Sequence, residues 1–151
     1  MLLFSLASGA MAQEGLSQDA VKAVLDDFHR AASDADYARY FGHFAAESIF
    51  IGTDITERWT LEEFKAYAKP AFDAGRGWTY VPQERHVYLA KGGQTAWFDE
   101  ILLNERFGAT RGTGVLVVED GLWKVSQYHL TLPVPNELIY DLVGMIEDFK
   151  N

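Results

Sequence analysis

The sequence contains no cysteine, which excludes disulfide bonds, thiol catalysis and zinc–thiolate sites. Basic residues are also scarce, with 13 Lys and Arg against 22 Asp and Glu, so the formal net charge is −9 at pH 7. Because nucleic acids and anionic membranes bind basic surfaces, we expect neither as a partner. The four histidines are widely separated and match no metal-binding motif. We therefore predict no metal and no cofactor, although a histidine–carboxylate site assembled by the fold stays open.

No apolar run is long enough to cross a bilayer, but the first twelve residues are largely apolar. They end in Ala10-Met11-Ala12, a small-x-small pattern that is typical of a signal-peptide cleavage site. No Lys or Arg precedes the apolar run, which is a departure from that pattern. We interpret residues 1–12 as a signal peptide or apolar leader. This predicts a periplasmic or secreted protein, and the alternative is a cytoplasmic one.

The rest of the chain, residues 17–151, is expected to form a single domain, since the chain is 48% hydrophobic and 23% charged. Three helices are predicted in its first half. Ser17 is an expected N-cap of the first helix, Asp34 of a short second one, and Thr60 with Glu63 forms a capping box for the third. Pro70 is expected to kink or end the third helix.

The second half of the chain changes to the alternating pattern of β-strands. Gly92-Gly93 and Asp120-Gly121 are two-residue hairpin signals between such strands. Helices followed by an antiparallel meander predict an α+β fold. A closing helix is expected after Asn136, with its apolar side turned inward (Leu138, Leu142, Ile146 and Phe149).

The Asp120-Gly121 turn predicts which residues face each other across the last hairpin. Strict pairing places Gln127 opposite Gly114 and His129 opposite Gly112, on the same face as Trp123. Glycines opposite a polar pair leave space beside it, which favours a ligand cavity over this patch. The alternative is that the glycines permit sheet curvature or a bulge, with Gln127 and His129 as hydrogen-bonded core residues.

The Gly92-Gly93 turn pairs His86 with Asp99 on one face of its hairpin and Arg85 with Glu100 on the other. If the first pair faces inward, Asp99 and His86 are candidates for acid–base chemistry; if the second does, the site resembles an anion or carbonyl anchor. Periodicity alone leaves both open. We favour the Asp99 face because of its aromatic neighbours, Tyr88 and Trp97.

The outer face of the predicted sheet is unusually apolar. It holds Thr113, Val115 and Val117, and strict alternation places Arg111 on the same side. An exposed apolar sheet face indicates a partner, so we expect a homodimer through this face. A bulge at the nearby glycines would turn Arg111 inward, which keeps it as a site candidate.

Over residues 17–151 the chain resembles the SnoaL-like branch of the nuclear transport factor 2-like superfamily. The resemblance depends on the two opening helices and on the segments 53–59 (TDITERW), 95–100 (TAWFDE), 111–114 (RGTG), 123–131 (WKVSQYHLT) and 135–136 (PN). It implies a cone-shaped α+β barrel, in which N-terminal helices pack on a strongly curved, mostly antiparallel sheet that is followed by a C-terminal helix. Relatives include ketosteroid isomerase and scytalone dehydratase alongside members that only bind or assemble, and none of their catalytic residues can be matched here.

Three functions are therefore considered. The first is a cofactor-independent isomerase, cyclase or dehydratase acting on a small apolar or polycyclic substrate, with Asp99 as base and with Gln127 and His129 donating hydrogen bonds to the developing oxyanion. The second is a non-catalytic small-ligand binder, and the third is a structural dimer with a closed pocket. The residues expected to line the pocket are Trp59, Trp78, Tyr88, His86, Trp97, Arg111 and Gln127.

Overall fold

The structure, a computed structural model, describes residues 16–150. Its helices are α1 (Gln18–Ser33), α2 (Tyr37–Gly42), α3 (Leu61–Asp73) and α4 (Ile139–Lys150), with a short 3₁₀ helix at Asn136–Leu138. Its strands are β1 (Phe44–Ile51), β2 (Arg58–Thr60), β3 (Val81–Leu89), β4 (Thr95–Asn104), β5 (Gly108–Glu119) and β6 (Leu122–Thr131). Among the described residues no helix is long and apolar enough to cross a membrane. The leader lies outside this range, so its cleavage and the periplasmic or secreted location stay predictions.

The six strands form one curved, open sheet in the order β2-β1-β6-β5-β4-β3. All neighbouring pairs are antiparallel except β1 and β6, which are parallel. Helices α1 and α3 pack against its inner face and bury Leu25, Phe28 and Phe64 there. This arrangement confirms the predicted α+β fold class. Both predicted hairpin turns are present, and the positive φ of Asp120 (51°) and Gly121 (77°) is the backbone such tight turns require.

The predicted N-cap residue is the observed one in two of the first three helices. The Ser17 hydroxyl accepts the Ala20 N–H, and the predicted capping box of Thr60 and Glu63 is present. The short helix α2 is capped by Asp36 rather than by Asp34, which ends α1 instead. Of the two outcomes predicted at Pro70, a kink or an end, the end does not occur, because α3 continues to Asp73.

The C-terminal helix α4 does not pack inward as its apolar pattern predicts. None of its residues is buried, and most of its large apolar side chains are exposed. The exposed fraction is 51% for Leu138, 43% for Ile146 and 92% for Phe149. The prediction of an inward-packed closing helix is therefore wrong, because an apolar periodicity specifies a face to be covered but not what covers it.

Candidate functional site

A cavity of about 360 Å³ lies between the helices and the inner face of β1 and β6. Its lining is dominated by aromatic side chains, among them Phe50, Trp59, Phe64, Tyr67, Trp78 and Tyr128. Two of these, Trp59 and Trp78, belong to the set of residues that the sequence predicts for the pocket. The cavity is therefore walled by aromatic rings contributed by both layers of the fold.

Several of these rings are nearly parallel. The Phe50 ring stacks on Phe64 with centroids 3.9 Å apart, and on Tyr128 with an interplanar angle of 9°. Trp59 lies beside the pair of Phe50 and Phe64 rather than beyond it, 5.7 Å from Phe64 at 17° and 6.2 Å from Phe50 at 31°. Phe50 and Phe64 cover each other's facing sides, so a ligand would meet the edges and the remaining faces of the cluster, which are complementary to another flat apolar group.

One polar network lies beside this aromatic wall, centred on the buried carboxylate of Glu100 on β4. Glu100 Oε1 accepts the Tyr128 hydroxyl at 2.9 Å and lies 2.7 Å from His29 Nε2. Its other oxygen, Oε2, accepts Arg85 Nε–H at 2.7 Å. Arg85 in turn donates to Asp26 at 2.6 Å, which connects the network to α1. His29 and Tyr128 both line the cavity, so the network reaches its surface.

The network keeps Glu100 ionised. Burial acts to raise the pKa of Glu100, but the hydrogen bond with His29 and the positive charge of Arg85 outweigh it and hold the pKa below its ordinary value. Burial and the adjacent Glu100 carboxylate raise the pKa of Tyr128 well above its usual range, so its hydroxyl stays a donor. Because an ionised carboxylate only accepts, His29 donates the proton from Nε2 in this contact.

Gly112 provides the space for this network. It lies opposite Glu100 on β4 and Leu130 on β6. A methyl group at this position would overlap the Tyr128 hydroxyl oxygen and lie 2.9 Å from Glu100 Oε1. The expected space beside a polar pair exists at Gly112, where Glu100 and Tyr128 occupy it in place of Gln127 and His129, but not at Gly114, which is packed against Phe98.

The prediction that Gln127 and His129 face the cavity is wrong. The predicted pairing is correct next to the turn, where Leu116 faces Val125, but a bulge follows and Val115 pairs with Gln127. One extra residue on β6 reverses the side on which all later side chains lie. Tyr128 is consequently buried on the inner face, whereas Gln127 is exposed and His129 is half-buried on the outer face.

The first hairpin has the predicted pairs but the opposite orientation. Glu100 is 1% exposed and faces inward, which places Asp99 and His86 on the outer face. The prediction that Asp99 faces inward is therefore wrong. Arg85 and His29 offset the desolvation of the buried Glu100 carboxylate, and the sequence of the hairpin alone does not reveal these partners. Arg85 pairs with Glu100 through Nε and with Asp26 through Nη1, while its Nη2 is buried without a hydrogen-bond partner.

Three other predicted site residues meet on the outer face rather than in the cavity. Asp99, His86 and Arg111 line a second cavity there, of about 450 Å³, together with Glu84. His86 Nε2 lies 2.9 Å from Glu84 Oε1. Tyr88 and Trp97 are also on this face, where they stack on each other with ring centroids 5.6 Å apart while remaining about half exposed. Within residues 16–150 no group of three or more metal-binding side chains is assembled.

His29 and Tyr128 are the site residues that sequence reasoning missed. A signal existed for His29, because it lies one helical turn after Leu25 and two after Val21 on the buried face of α1. A histidine on an apolar helix face requires a polar partner inside the fold. No comparable signal existed for Tyr128, since its orientation depends on the bulge.

An open, curved sheet with helices over its inner face and an aromatic cavity between them is the architecture of NTF2-like proteins. A model of the SnoaL-like domain matches residues 21–135. The chain therefore belongs to the SnoaL-like family, as the sequence resemblance predicts. No curated protein matches the sequence.

Solved structures agree with this fold. A domain of unknown function with a cystatin-like fold from Nostoc punctiforme has a TM-score of 0.69 at 16% identity, over 86% of this chain and 85% of that one. A candidate scytalone dehydratase from Novosphingobium aromaticivorans has a TM-score of 0.65 at 11% identity, over 77% and 83%. An NTF2-like protein of unknown function from Pseudomonas putida has 0.63 at 14% identity, over 80% and 89%. At such low identities the likeness concerns the fold alone.

Proposed function

We propose that this protein binds a small, flat, mostly apolar molecule in the aromatic cavity. The observation that carries the proposal is the cluster of nearly parallel rings of Trp59, Phe64, Phe50 and Tyr128 in the cavity lining. A volume of about 360 Å³ also lies within the usual range for small-molecule sites. A planar ring system would contact these faces at little entropic cost, since the rings are already held by their neighbours.

A fluorescent probe and a matched pair of tryptophan variants test this proposal. N-phenylnaphthylamine is neutral, flat and apolar, and its fluorescence increases in apolar surroundings. Trp59→Ala removes a ring that lines the cavity, whereas Trp97→Ala removes a ring from the outer face. We expect Trp59→Ala to weaken binding by about tenfold or more, and Trp97→Ala to change it by less than about twofold. Equal effects of both variants, or no saturable binding to the wild type, would refute the proposal.

The geometry of His29 favours proton transfer as a second candidate function. Its Nε2–H is held by the Glu100 carboxylate at 2.7 Å, and its ring contributes to the cavity lining. A carboxylate that orients an imidazole and stabilises its protonated form is the usual arrangement for a histidine general base. His29 would then abstract a proton next to a carbonyl group of the bound molecule through Nδ1, without a cofactor.

Hydrogen–deuterium exchange in a bicyclic ketone measures such proton abstraction directly. We expect the wild type to accelerate exchange of the protons next to the carbonyl group of tetralone in D₂O, followed by NMR. His29→Gln keeps a polar side chain at the same place but has no basic nitrogen, so it should abolish the acceleration. If the wild type exchanges these protons no faster than the variant, the protein does not abstract a proton through His29, and ligand binding is the function that stays.

We also propose that two copies associate through the outer sheet face. Four large apolar side chains are about half exposed there, namely Val81, Tyr88, Trp97 and Leu103. Such a patch is more extensive than isolated surface residues and indicates a protein partner. Sedimentation of the wild type should show a dimer that Trp97→Glu dissociates, because a carboxylate would be buried there without a partner. A wild-type monomer at high concentration would contradict this.

A further inference from the structure

Resting on the proposed function, we propose that the ligand carries an anionic group, such as an aromatic carboxylate, which pairs with Arg106 at the mouth of the cavity. Arg106 and Phe107 belong to the turn between β4 and β5, and both contribute to the cavity lining. The Arg106 guanidinium lies over the Phe107 ring, 5.4 Å from its centroid. A cation is therefore placed at the edge of the aromatic wall.

The turn that carries Arg106 is held in place by Asn104. The Asn104 side-chain oxygen accepts the backbone N–H groups of Arg106 and Phe107, at 3.0 and 2.9 Å. Its amide nitrogen donates to the Thr79 carbonyl oxygen at 2.9 Å, which ties the turn to the segment before β3. The turn then closes at Gly108, whose φ of 69° favours glycine. The backbone under Arg106 is thus preorganised, so less ordering is needed when a ligand pairs with it.

The charge of Arg106 is available for a ligand. Within residues 16–150 its guanidinium has no carboxylate partner, and its side chain is exposed. The other charged group at the mouth is Glu57, whose Oε2 accepts the Asp54 backbone N–H at 3.2 Å within its own loop. Glu57 keeps its negative charge but is held by its own loop, whereas Arg106 has no carboxylate partner among the described residues, so an anionic group would bind on the Arg106 side of the mouth.

The deep end of the cavity cannot accept the same anion. His29 lines the cavity there and is bonded to Glu100, so an anion placed next to His29 would also lie close to a buried, ionised carboxylate; Arg85, which binds the other oxygen of Glu100, does not line the cavity. Like charges in a poorly solvated site repel strongly. A ligand with a flat apolar body would therefore bind with its ring system between the aromatic side chains and its anion outward, partly hydrated, at Arg106.

A pair of probes that differ only by one charge tests this inference. Anilinonaphthalene sulfonate has the ring system of N-phenylnaphthylamine with an added sulfonate group. We expect Arg106→Gln to weaken binding of the anionic probe by about three- to tenfold and to change binding of the neutral probe by less than about twofold. Arg106→Lys should retain part of the preference for the anion. Arg76→Gln, an exposed arginine outside the cavity, is the control and should leave both affinities unchanged.

The outcomes separate this inference from the proposed function. Raising NaCl from about 0.02 M to about 0.5 M should weaken anionic-probe binding in the wild type more than in Arg106→Gln. If the neutral probe binds and Arg106→Gln leaves the ratio of the two affinities unchanged, the inference is wrong while the cavity still binds ligands. If neither probe binds the wild type, both the inference and the proposed function are wrong.

Discussion

Adding one methyl group at Gly112 tests the buried network most severely. In Gly112→Ala the new Cβ would overlap the Tyr128 hydroxyl oxygen and press against Glu100, from 2.9 Å at Oε1 and 3.0 Å at Cγ. Overpacking of this kind costs about 1–3 kcal/mol, and loss of the Tyr128 hydrogen bond to a charged group costs about 1.5–3 kcal/mol. Since movement of Tyr128 relieves part of the overlap, we expect a total loss of about 2–4 kcal/mol in the free energy of unfolding.

Urea unfolding measures this loss, and two variants control it. Gly144→Ala also adds a methyl group, but no atom lies within 4 Å of it, so it should be neutral or slightly stabilising. Tyr128→Phe removes the oxygen that the new methyl group overlaps, so Gly112→Ala should cost at least about 1 kcal/mol less in that background. The packing described for Glu100 and Tyr128 would be refuted if the free energy of unfolding of Gly112→Ala lay within about 0.5 kcal/mol of the wild-type value. It would also be refuted if Gly112→Ala lowered this free energy equally in the wild-type and Tyr128→Phe backgrounds.

Three further predictions concern charge and the C-terminal helix. Because the pKa of Glu100 is depressed in the folded protein, its ionised carboxylate stabilises the fold at a pH above the ordinary pKa of 4.5, and this stabilisation is lost as the pH falls through the folded pKa. The difference in melting temperature between the wild type and Glu100→Gln should therefore shrink on acidification, and a constant difference would contradict this. NMR titration should give Asp27 a pKa of about 2, because Arg39 donates a hydrogen bond to its carboxylate, and a value near 4 would contradict the pairing. Removing residues 136–151 should lower the free energy of unfolding by less than about 1 kcal/mol, since α4 buries no residue, and a much larger loss would show packing that the structure lacks.

Local sequence signals predict the elements of this fold well where a short-range interaction determines them. The Thr60 and Glu63 capping box and the Asp120-Gly121 turn each depend on residues within one turn of chain, and both are present. The pairing of the last hairpin is also correct up to Leu116 and Val125. These signals are reliable because the interacting groups are separated by only a few residues.

The candidate site could not be predicted in the same way, because its residues come together over long distances in the chain. Glu100 and His29 are 71 positions apart, and the alternation of β4 does not indicate which face is turned inward. The bulge on β6 has no compositional signal, yet it exchanges Gln127 and His129 for Tyr128 and Leu130 on the inner face. The network that compensates Glu100 is a tertiary property, and it decides the orientation of the first hairpin.

The position of a bound probe tests the central claim most directly. NMR of the protein saturated with N-phenylnaphthylamine should show nuclear Overhauser effects between probe protons and the ring protons of Phe50, Phe64 and Tyr128, the rings that form the parallel stack. This result would place a flat apolar molecule in the cavity. Effects to Tyr88 and Trp97 alone would place the probe on the outer sheet face instead, and would contradict the proposal that the aromatic cavity is the binding site.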